Sequence, residues 1–280
     1  MKILYIAELV GKAGIYCLKK ALPALKLERK VDLTIACADG ATGGFGLGRN
    51  HAAYIRKLGV EVLTTGECAF FKKDLVENLP KMPYVLRPAN LGAFAPGWGA
   101  RVFAAGDSKV GVICLLGQAG FDRTHADNPF TALPELVERL KRETPYVFVD
   151  FHAAATAEKL SLFRFADGRC SAVVGSHGRV QTADEMVLPG GTAVITDAGR
   201  TGSLDSVGGN DPVPRIQEFL TGIPDWTKEA WSRPALQGVF IELGSDGKAL
   251  SIERISVPCP EVSHGGDLQG SEDRREDDNG

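Results

Sequence analysis

The sequence predicts an α/β fold in which helices cover a mixed sheet or two packed sheets. Apolar strand-like runs first alternate with amphipathic helical segments, and strand signals then cluster later in the chain. The run VFVDFH, at residues 147–152, is so apolar that it belongs in the middle of a sheet. Since no internal repeat and no linker divides these elements, we expect a single domain over residues 1–260.

The helices follow from apolar spacing and from start signals. The first, from about Ile15, is apolar at Ile15, Leu18, Leu22 and Leu25, which is the spacing of one helix face. Another opens with a proline at its first position, where the missing N–H is tolerated; it runs from Pro129 to about Arg142. The remaining helices are predicted over about residues 50–58, 72–78 and 214–220, and from about Thr156.

The strands are short apolar runs bounded by turn residues. The turn sequences GDSK and GSDGK each join two such runs. The predicted strands cover residues 2–7, 31–38, 60–65, 101–105, 110–116, 147–152, 171–176, 193–196, 238–243 and 249–256.

The composition is that of an ordinary globular protein, with 44% hydrophobic and 24% charged residues among 280. No apolar run reaches the length of a membrane span and no signal-peptide pattern opens the chain, so we expect a cytoplasmic protein without a membrane partner. The six cysteines form no CxxC pair, which favours buried thiols over disulfides or a zinc knuckle.

The carboxyl-terminal segment, residues 261–280, is strongly acidic. Seven acidic residues against two arginines give it a charge of −5, so the body carries about +2 of the total of −3. Its low apolar content predicts a disordered, solubilising tail, with partner binding as the alternative. The body therefore lacks the basic field that binding to duplex nucleic acid needs.

Acidic or imidazole side chains stand where five of the apolar runs end. We expect these side chains to converge on one edge, because ligands of open α/β sheets bind at the carboxyl ends of the strands. Carboxylates and imidazoles are ligands for divalent metals, which predicts a metal or phosphate site; the alternative is that loops after strands are simply polar. The five residues are Glu8, Asp39, Glu67, His152 and His177.

A glycine-rich segment, ADGATGGFGLG, follows the second predicted strand. Its glycines allow positive φ angles and close approach of the backbone to a ligand, with a flexible structural turn as the alternative. It matches neither the dinucleotide fingerprint nor the P-loop.

Several long stretches carry a resemblance to a known family. They are ILYIAELVGKAG, GATGGFG, LRPAN, DNPF, VDFHAAATAEK, SAVVGSHGRVQTADEMVLPGGTAVITDAGRTG, DSVGG and FLTGIP, spread over about residues 1–255. In these stretches the chain resembles the YmdB-type branch of the calcineurin-like metallophosphoesterases. The resemblance implies a four-layer α/β sandwich, with two packed mixed β-sheets flanked by helices. It also implies a dinuclear metal centre, phosphodiesterase activity on 2′,3′-cyclic nucleotides, and a homo-oligomer.

The chain departs from the family pattern at the metal ligands. One metal position corresponds to Glu8, Asp39 and Arg179, and arginine cannot be a ligand because it stays protonated. The other corresponds to Asp39, Glu67, His152 and His177, all of which can bind a cation. We therefore expect one divalent metal per chain, Fe, Mn or Zn. We also expect the Arg179 guanidinium to replace the other metal and to pair with Glu8 and Asp39.

Cys68 stands where the family has the histidine thought to protonate the leaving group. A thiol is largely protonated at neutral pH and can donate, so Cys68 and Arg179 are the catalytic candidates, with His125 a more distant one. Three functions remain open: a divergent phosphodiesterase or phosphatase acting on a cyclic nucleotide or other phosphoester, a pseudoenzyme that binds a ligand or protein partner, and a scaffold.

Overall fold

The structure is a computed structural model that describes residues 1–261; the acidic tail predicted over 261–280 otherwise lies outside the described residues. The strands are β1 (Lys2–Ile6), β2 (Glu8–Leu9), β3 (Leu33–Cys37), β4 (Val62–Thr64), β5 (Val85–Leu86), β6 (Ala100–Ala105), β7 (Ser108–Leu116), β8 (Val147–His152), β9 (Ala172–Ser176), β10 (Met186–Val187), β11 (Ala193–Ile195), β12 (Arg200–Ser203), β13 (Pro234–Leu243) and β14 (Ala249–Pro258). The α-helices are α1 (Gly11–Arg29), α2 (Arg49–Lys57), α3 (Lys73–Val76), α4 (Pro129–Lys141), α5 (Thr156–Ala166) and α6 (Pro212–Thr221), and a 3-10 helix covers Leu79–Lys81.

The strands form two mixed sheets. The first has the order β2-β12-β13-β1-β3-β4-β5, with β14 paired to β13, and the second has the order β10-β11-β9-β8-β7-β6. In the first sheet β1, β3, β4 and β5 run parallel, whereas β13 is antiparallel to β1. In the second, β7, β8, β9 and β11 run parallel, with β6 and β10 antiparallel at the two edges. The mixed pairing predicted from the sequence is confirmed.

Three apolar clusters stack the elements into four layers. The middle cluster joins the inner faces of the two sheets, for example Tyr5 of β1 against Phe148 of β8, whose ring centroids are 5.4 Å apart. A second cluster packs α1 and α2 on the first sheet, and a third packs α4 and α5 on the second. Because the inner strands are covered on both faces, they appear in sequence as continuous apolar runs. The predicted four-layer sandwich is thus the observed fold.

The structure corrects the prediction in three respects. The first helix begins at Gly11 rather than near Ile15. The strands β2, β5, β10 and β12 were not predicted; each has two to four residues and is defined as a strand by its pairing with a neighbour. The strands that precede Glu8, Asp39 and Glu67 belong to the first sheet, and those of the two histidines belong to the second. The predicted single edge is therefore a junction between two sheets.

Among residues 1–261, none of the helices combines the length and the apolar character needed to cross a lipid bilayer.

Gly175 in β9 illustrates how closely the backbones pack in the second sheet. A Cβ at this position would lie 1.9 Å from the carbonyl oxygen of Thr196, an overlap that only a backbone shift could relieve. At Gly92, by contrast, a Cβ would meet no atom of the described residues within 4 Å.

We expect Gly175→Ala to lower the free energy of unfolding by about 3 kcal/mol, because overpacking a close backbone contact forces strain. The matched variant Gly92→Ala should change it by less than about 0.5 kcal/mol. Urea denaturation at equilibrium measures both values, and equal stability of the two variants would contradict the prediction.

Candidate metal centre

Five side chains from the ends of five strands meet where the two sheets join. Glu67, which follows β4, makes the contacts that bridge the sheets: its Oε2 lies 2.5 Å from His152 Nε2, and its Oε1 lies 3.3 Å from His177 Nδ1. Asp39, which follows β3, has its Oδ2 3.8 Å from the same His152 nitrogen. The structure therefore brings together the residues that the sequence placed at separate strand ends.

The donor set around Glu67 fits a divalent cation. Candidate ligand atoms of Glu67, His152 and His177 lie within 4.8 Å of one another, and Asp39, Glu67 and Cys68 form an overlapping group. Carboxylate oxygens and imidazole nitrogens suit zinc, iron and manganese. Asp39, Glu67, His152 and His177 are therefore the residues that could hold a divalent cation.

Backbone groups hold Asp39 from both sides. Its Oδ1 accepts a hydrogen bond from the Gly66 amide at 2.5 Å, and its Oδ2 accepts one from the Cys68 amide at 3.1 Å. Burial raises the pKa of Asp39 to about 7; the charges of Glu67 and Glu8 add to this, and His152 opposes it. Gly66 has to be a glycine, since a Cβ there would lie 2.3 Å from the His152 ring.

His152 and Glu67 share a strong charge interaction. Burial acts to lower the pKa of His152, but the Glu67 carboxylate outweighs it and, with Asp39 and Glu8, raises that pKa to about 10. Burial would raise the pKa of Glu67, but the charge of His152 holds it well below its usual range. The two shifts have one cause, which is the attraction between a protonated imidazole and the carboxylate beside it.

A buried hydroxyl network beneath the centre orients His152. Asp150, at 0% exposure, accepts hydrogen bonds from Tyr5 Oη at 2.8 Å, from Ser176 Oγ at 2.7 Å and from Thr64 Oγ1. Ser176 Oγ also lies 2.8 Å from His152 Nδ1. Because its single proton goes to Asp150, Ser176 accepts from His152 Nδ1–H. The Nε2 atom therefore faces Glu67 with a lone pair to offer to a proton or a metal.

Arg179 takes a different position from the other candidates. It donates to Glu8 Oε1 from Nε at 2.9 Å and from Nη2 at 2.7 Å, and to the carbonyl oxygens of Gly44 at 2.8 Å and Gly208 at 3.1 Å. The expected pair with Glu8 is present. The expected pair with Asp39 is not, because both carboxylate oxygens of Asp39 face the backbone amides.

The surroundings of Glu8 differ from those of the other candidate ligands. Glu8 Oε2 is buried and has no hydrogen-bond partner among residues 1–261, and its candidate co-ligands are Cys37 and His152. Burial raises the pKa of the Cys37 thiol well above its usual value, and His152 Nδ1 lies 2.8 Å from Ser176 Oγ. Arg179 cannot coordinate a metal. At this position the chain thus offers a guanidinium where the resemblance implies a metal ligand.

Cys68 is buried beside Asp39 and remains a thiol. Burial, together with the charges of Asp39 and Glu67, raises its pKa far above the ordinary thiol value. His125 is exposed, in a loop held against the site by the bond from Thr124 Oγ1 to the Glu67 carbonyl at 3.3 Å.

The sequence did not reveal the residues that support the centre. Ser176 and Thr64 are short hydroxyl side chains within apolar strands, and only their burial beside Asp150 shows their purpose. Asp197 lies in one of the stretches that carry the family resemblance; its carboxylate accepts from the Gly178 amide at 2.7 Å and from Lys159 Nζ at 3.0 Å. It thereby holds the turn between the second histidine and the arginine.

Comparisons with known proteins give concordant results. A family model for YmdB-like protein matches residues 4–255. A 2′,3′-cyclic-nucleotide 2′-phosphodiesterase from Bacillus subtilis (strain 168) is 38% identical over 258 residues, covering 92% of this chain and 97% of that protein. The solved structure of a novel phosphatase from Mycoplasma pneumoniae has a TM-score of 0.86 at 32% identity, covering 92% of this chain and 93% of its own. A hypothetical protein from Thermus thermophilus has the same TM-score, 0.86, at 31% identity, covering 93% of this chain and 100% of its own.

We expect Ser176→Ala to weaken binding of Mn²⁺ or Zn²⁺ by about 10- to 100-fold, because His152 Nδ1–H then loses the acceptor that fixes the ring. Calorimetric titration of metal into chelator-treated protein measures the change. Ser251→Ala, at an exposed serine of β14, is the control and should leave the affinity unchanged. Equal affinities of the two variants would show that the hydroxyl does not orient His152.

Proposed function

The chain belongs to the YmdB-like protein family, and on this basis we propose that it is a metal-dependent phosphodiesterase that hydrolyses 2′,3′-cyclic nucleotides or related phosphoesters. The observation that carries the proposal is the meeting of Asp39, Glu67, His152 and His177 at the junction of the sheets. The activities given for the Bacillus and Mycoplasma relatives support this reaction class. Neither relative supports the alternative of a catalytically impaired protein.

The proposed centre holds one divalent cation per chain, bound by these four residues. When bound, such a cation lowers the pKa of water and neutralises charge on phosphoryl oxygens. The chain itself contributes the orientation: Gly66 and Cys68 amides hold Asp39, and the Asp150–Ser176 pair holds His152. These contacts set the ligand atoms in place before the cation arrives, which limits the reorganisation that binding requires.

Arg179 supplies a second, fixed positive charge. Within the described residues four of its five N–H groups donate, to Glu8 and to two carbonyl oxygens, which leaves one Nη1–H for a phosphate oxygen. Glu8 holds the guanidinium in place and raises its pKa against the effect of burial, so the charge persists at every accessible pH. We assign Arg179 the role of an electrostatic clamp on the substrate.

Cys68 is our candidate for the donor of a proton to the leaving oxygen. Its raised pKa keeps the proton on sulfur, so the group is in the acidic form, but it is a weak acid. A weak acid protonates a leaving group slowly. We therefore expect turnover to be slow for this reaction class.

The proposal extends to the setting of the enzyme. We take residues 1–260 as one domain that forms a homo-oligomer in the cytoplasm and acts on a phosphoester or nucleotide rather than on duplex nucleic acid or membranes. In support, all six cysteines are buried free thiols among residues 1–261, as is usual in a reducing compartment. The overall charge of −3 offers no basic field for a duplex.

The proposal predicts that the protein hydrolyses 2′,3′-cyclic AMP when manganese or iron is supplied. Chromatography of the products measures the reaction. Glu67→Gln removes the charge that faces both histidines while keeping the side-chain volume, and it should lower kcat/KM by about 100-fold or more. Glu138→Gln, at an exposed glutamate of α4, is the matched control and should retain full activity.

Two outcomes count against this function. Absence of turnover in metal-loaded protein would favour the pseudoenzyme alternative. Equal activity of Glu67→Gln and Glu138→Gln would mean that the observed turnover arises elsewhere.

A separate prediction concerns metal content. Protein purified without chelator should contain about one ion per chain by plasma mass spectrometry, because Arg179 displaces the other. The double variant Glu8→Asp, Arg179→His shortens the acid and replaces the arginine with a metal ligand, so its content should rise to about two. The single variant Glu8→Asp is the control and should stay at about one. Two ions in the unaltered protein would refute the assignment of Arg179 as a fixed substitute.

A further inference from the structure

Two half-exposed phenyl rings stand beside the proposed centre. Phe45 is 47% exposed and Phe71 is 50% exposed, although both follow strand ends that deliver candidate metal ligands. Single exposed apolar residues are common on protein surfaces, but these two aromatic residues lie on adjoining loops at one end of the site.

The backbone of Phe45 is held firmly on both sides. On one side the carbonyl oxygen of Gly44 accepts from Arg179 Nη2 at 2.8 Å. On the other, Gly46 packs so tightly that a Cβ there would lie 3.2 Å from the Cys68 carbonyl oxygen. Both glycines have positive φ, 82° and 84°, which a side chain would disfavour. The exposed ring is therefore carried by an ordered segment and is pre-organised for contact.

Phe71 belongs to the same surface. Its amide donates to the Cys68 carbonyl at 3.0 Å, which forms the turn after the candidate acid. Its Cβ lies 3.2 Å from the position that a Cβ of Gly46 would take, so this loop and the Phe45 loop are in direct contact. We refer to Phe45 and Phe71 together as the phenyl pair.

The phenyl pair borders the cationic side of the site. The Phe45 ring centroid lies 6.0 Å from Arg179 Cζ. The two histidines are covered by another ring, Phe121, whose centroid is 5.0 Å from that of His177 at an interplanar angle of 77°. Phe121 is thus engaged with imidazoles, whereas both members of the phenyl pair are about half exposed and Phe45 lies next to the arginine.

Resting on the proposed function, we propose that the phenyl pair is the stacking surface for the base of a nucleotide whose phosphate binds at Arg179 and the centre. The Phe45 ring centroid lies 6.0 Å from Arg179 Cζ, and in a nucleotide the ribose separates the base from the phosphate. Stacking accepts every base, because each has a π-face, and so the pair selects nucleotides over phosphoesters without a base. It gives Phe45 and Phe71 a role in substrate specificity.

The test compares two ligands that need no turnover, so that it stands apart from the activity assay. Isothermal calorimetry on the metal-loaded full chain measures the affinities of adenosine 3′-monophosphate and of glycerol 1-phosphate, which lacks a base. In the double variant Phe45→Ala, Phe71→Ala, the affinity for adenosine 3′-monophosphate divided by that for glycerol 1-phosphate should fall by about 5- to 150-fold. Phe45→Tyr keeps a π-face and should retain the ratio. Phe219→Ala, at an exposed phenylalanine of α6, is the matched control.

The outcomes separate the two proposals. An unchanged ratio in the double variant, or equal affinity of the unaltered protein for the two ligands, overturns the stacking surface whatever the hydrolysis assay shows. A reduced ratio together with no hydrolysis of 2′,3′-cyclic AMP supports the stacking surface and overturns the catalytic function. Lack of measurable binding of both ligands overturns the stacking surface, and the hydrolysis assay then decides the catalytic function by itself. Phe45→Leu, which keeps apolar bulk without a π-face, should also lower the ratio and serves if the double variant does not fold.

Discussion

Three carboxylates meet at the junction of two sheets, and the charge of each has to be balanced within the protein. Burial raises the pKa of Asp39 to about 7, because an ionised carboxylate is unfavourable away from water. Glu67 is balanced by the imidazoles of the second sheet, Glu8 by Arg179, and Asp39 by two backbone amides. Removing any one of these partners would leave a buried charge uncompensated. The strand ends and the loops after them are arranged to meet this requirement.

Arg179 balances the charge of Glu8 in a way that a metal ion could not. A guanidinium is tethered to the chain, always charged and rich in directed donors, but it has no coordination site. Through its bonds to Glu8, Gly44 and Gly208 it joins the first sheet, the glycine-rich loop and a later loop to the end of β9. Since a buried ion pair returns about as much free energy as its desolvation costs, its contribution is to geometry more than to stability.

The glycine-rich loop packs against the ion pair of Arg179 and Glu8, a role that its composition alone left open. Gly40 lies so close to the ion pair that a Cβ would be 2.8 Å from Arg179 Nη2 and 3.0 Å from Glu8 Oε1. Gly44 presents its carbonyl oxygen to the same guanidinium. Close approach of the backbone was expected for a ligand; here the approaching group is a side chain of the protein itself. The loop is therefore part of the arrangement that holds the fixed charge, and Phe45 projects from it.

Most of the fold could be predicted because its signals are local. The long elements β7, β8, α4 and β13 follow from hydrophobic period, turn residues and helix starts, and the site residues follow from their place after apolar runs. The four short strands could not be predicted, because two to four residues carry little local signal and only pairing with another strand defines them. The family resemblance supplied the position of Arg179, but not its preference for Glu8 over Asp39.

The sequence by itself determined which chemical groups stand at the strand ends, since a residue's place after an apolar run is a property of its immediate neighbours. Only the tertiary structure decided which groups meet. The histidines belong to one sheet and the carboxylates to the other, and Asp150 lies beneath the centre, where Ser176 links it to His152. The physical reason is that hydrogen bonds and charge pairs act over a few ångströms in space, and residues 85 or 171 positions apart come within that range only when the sheets pack.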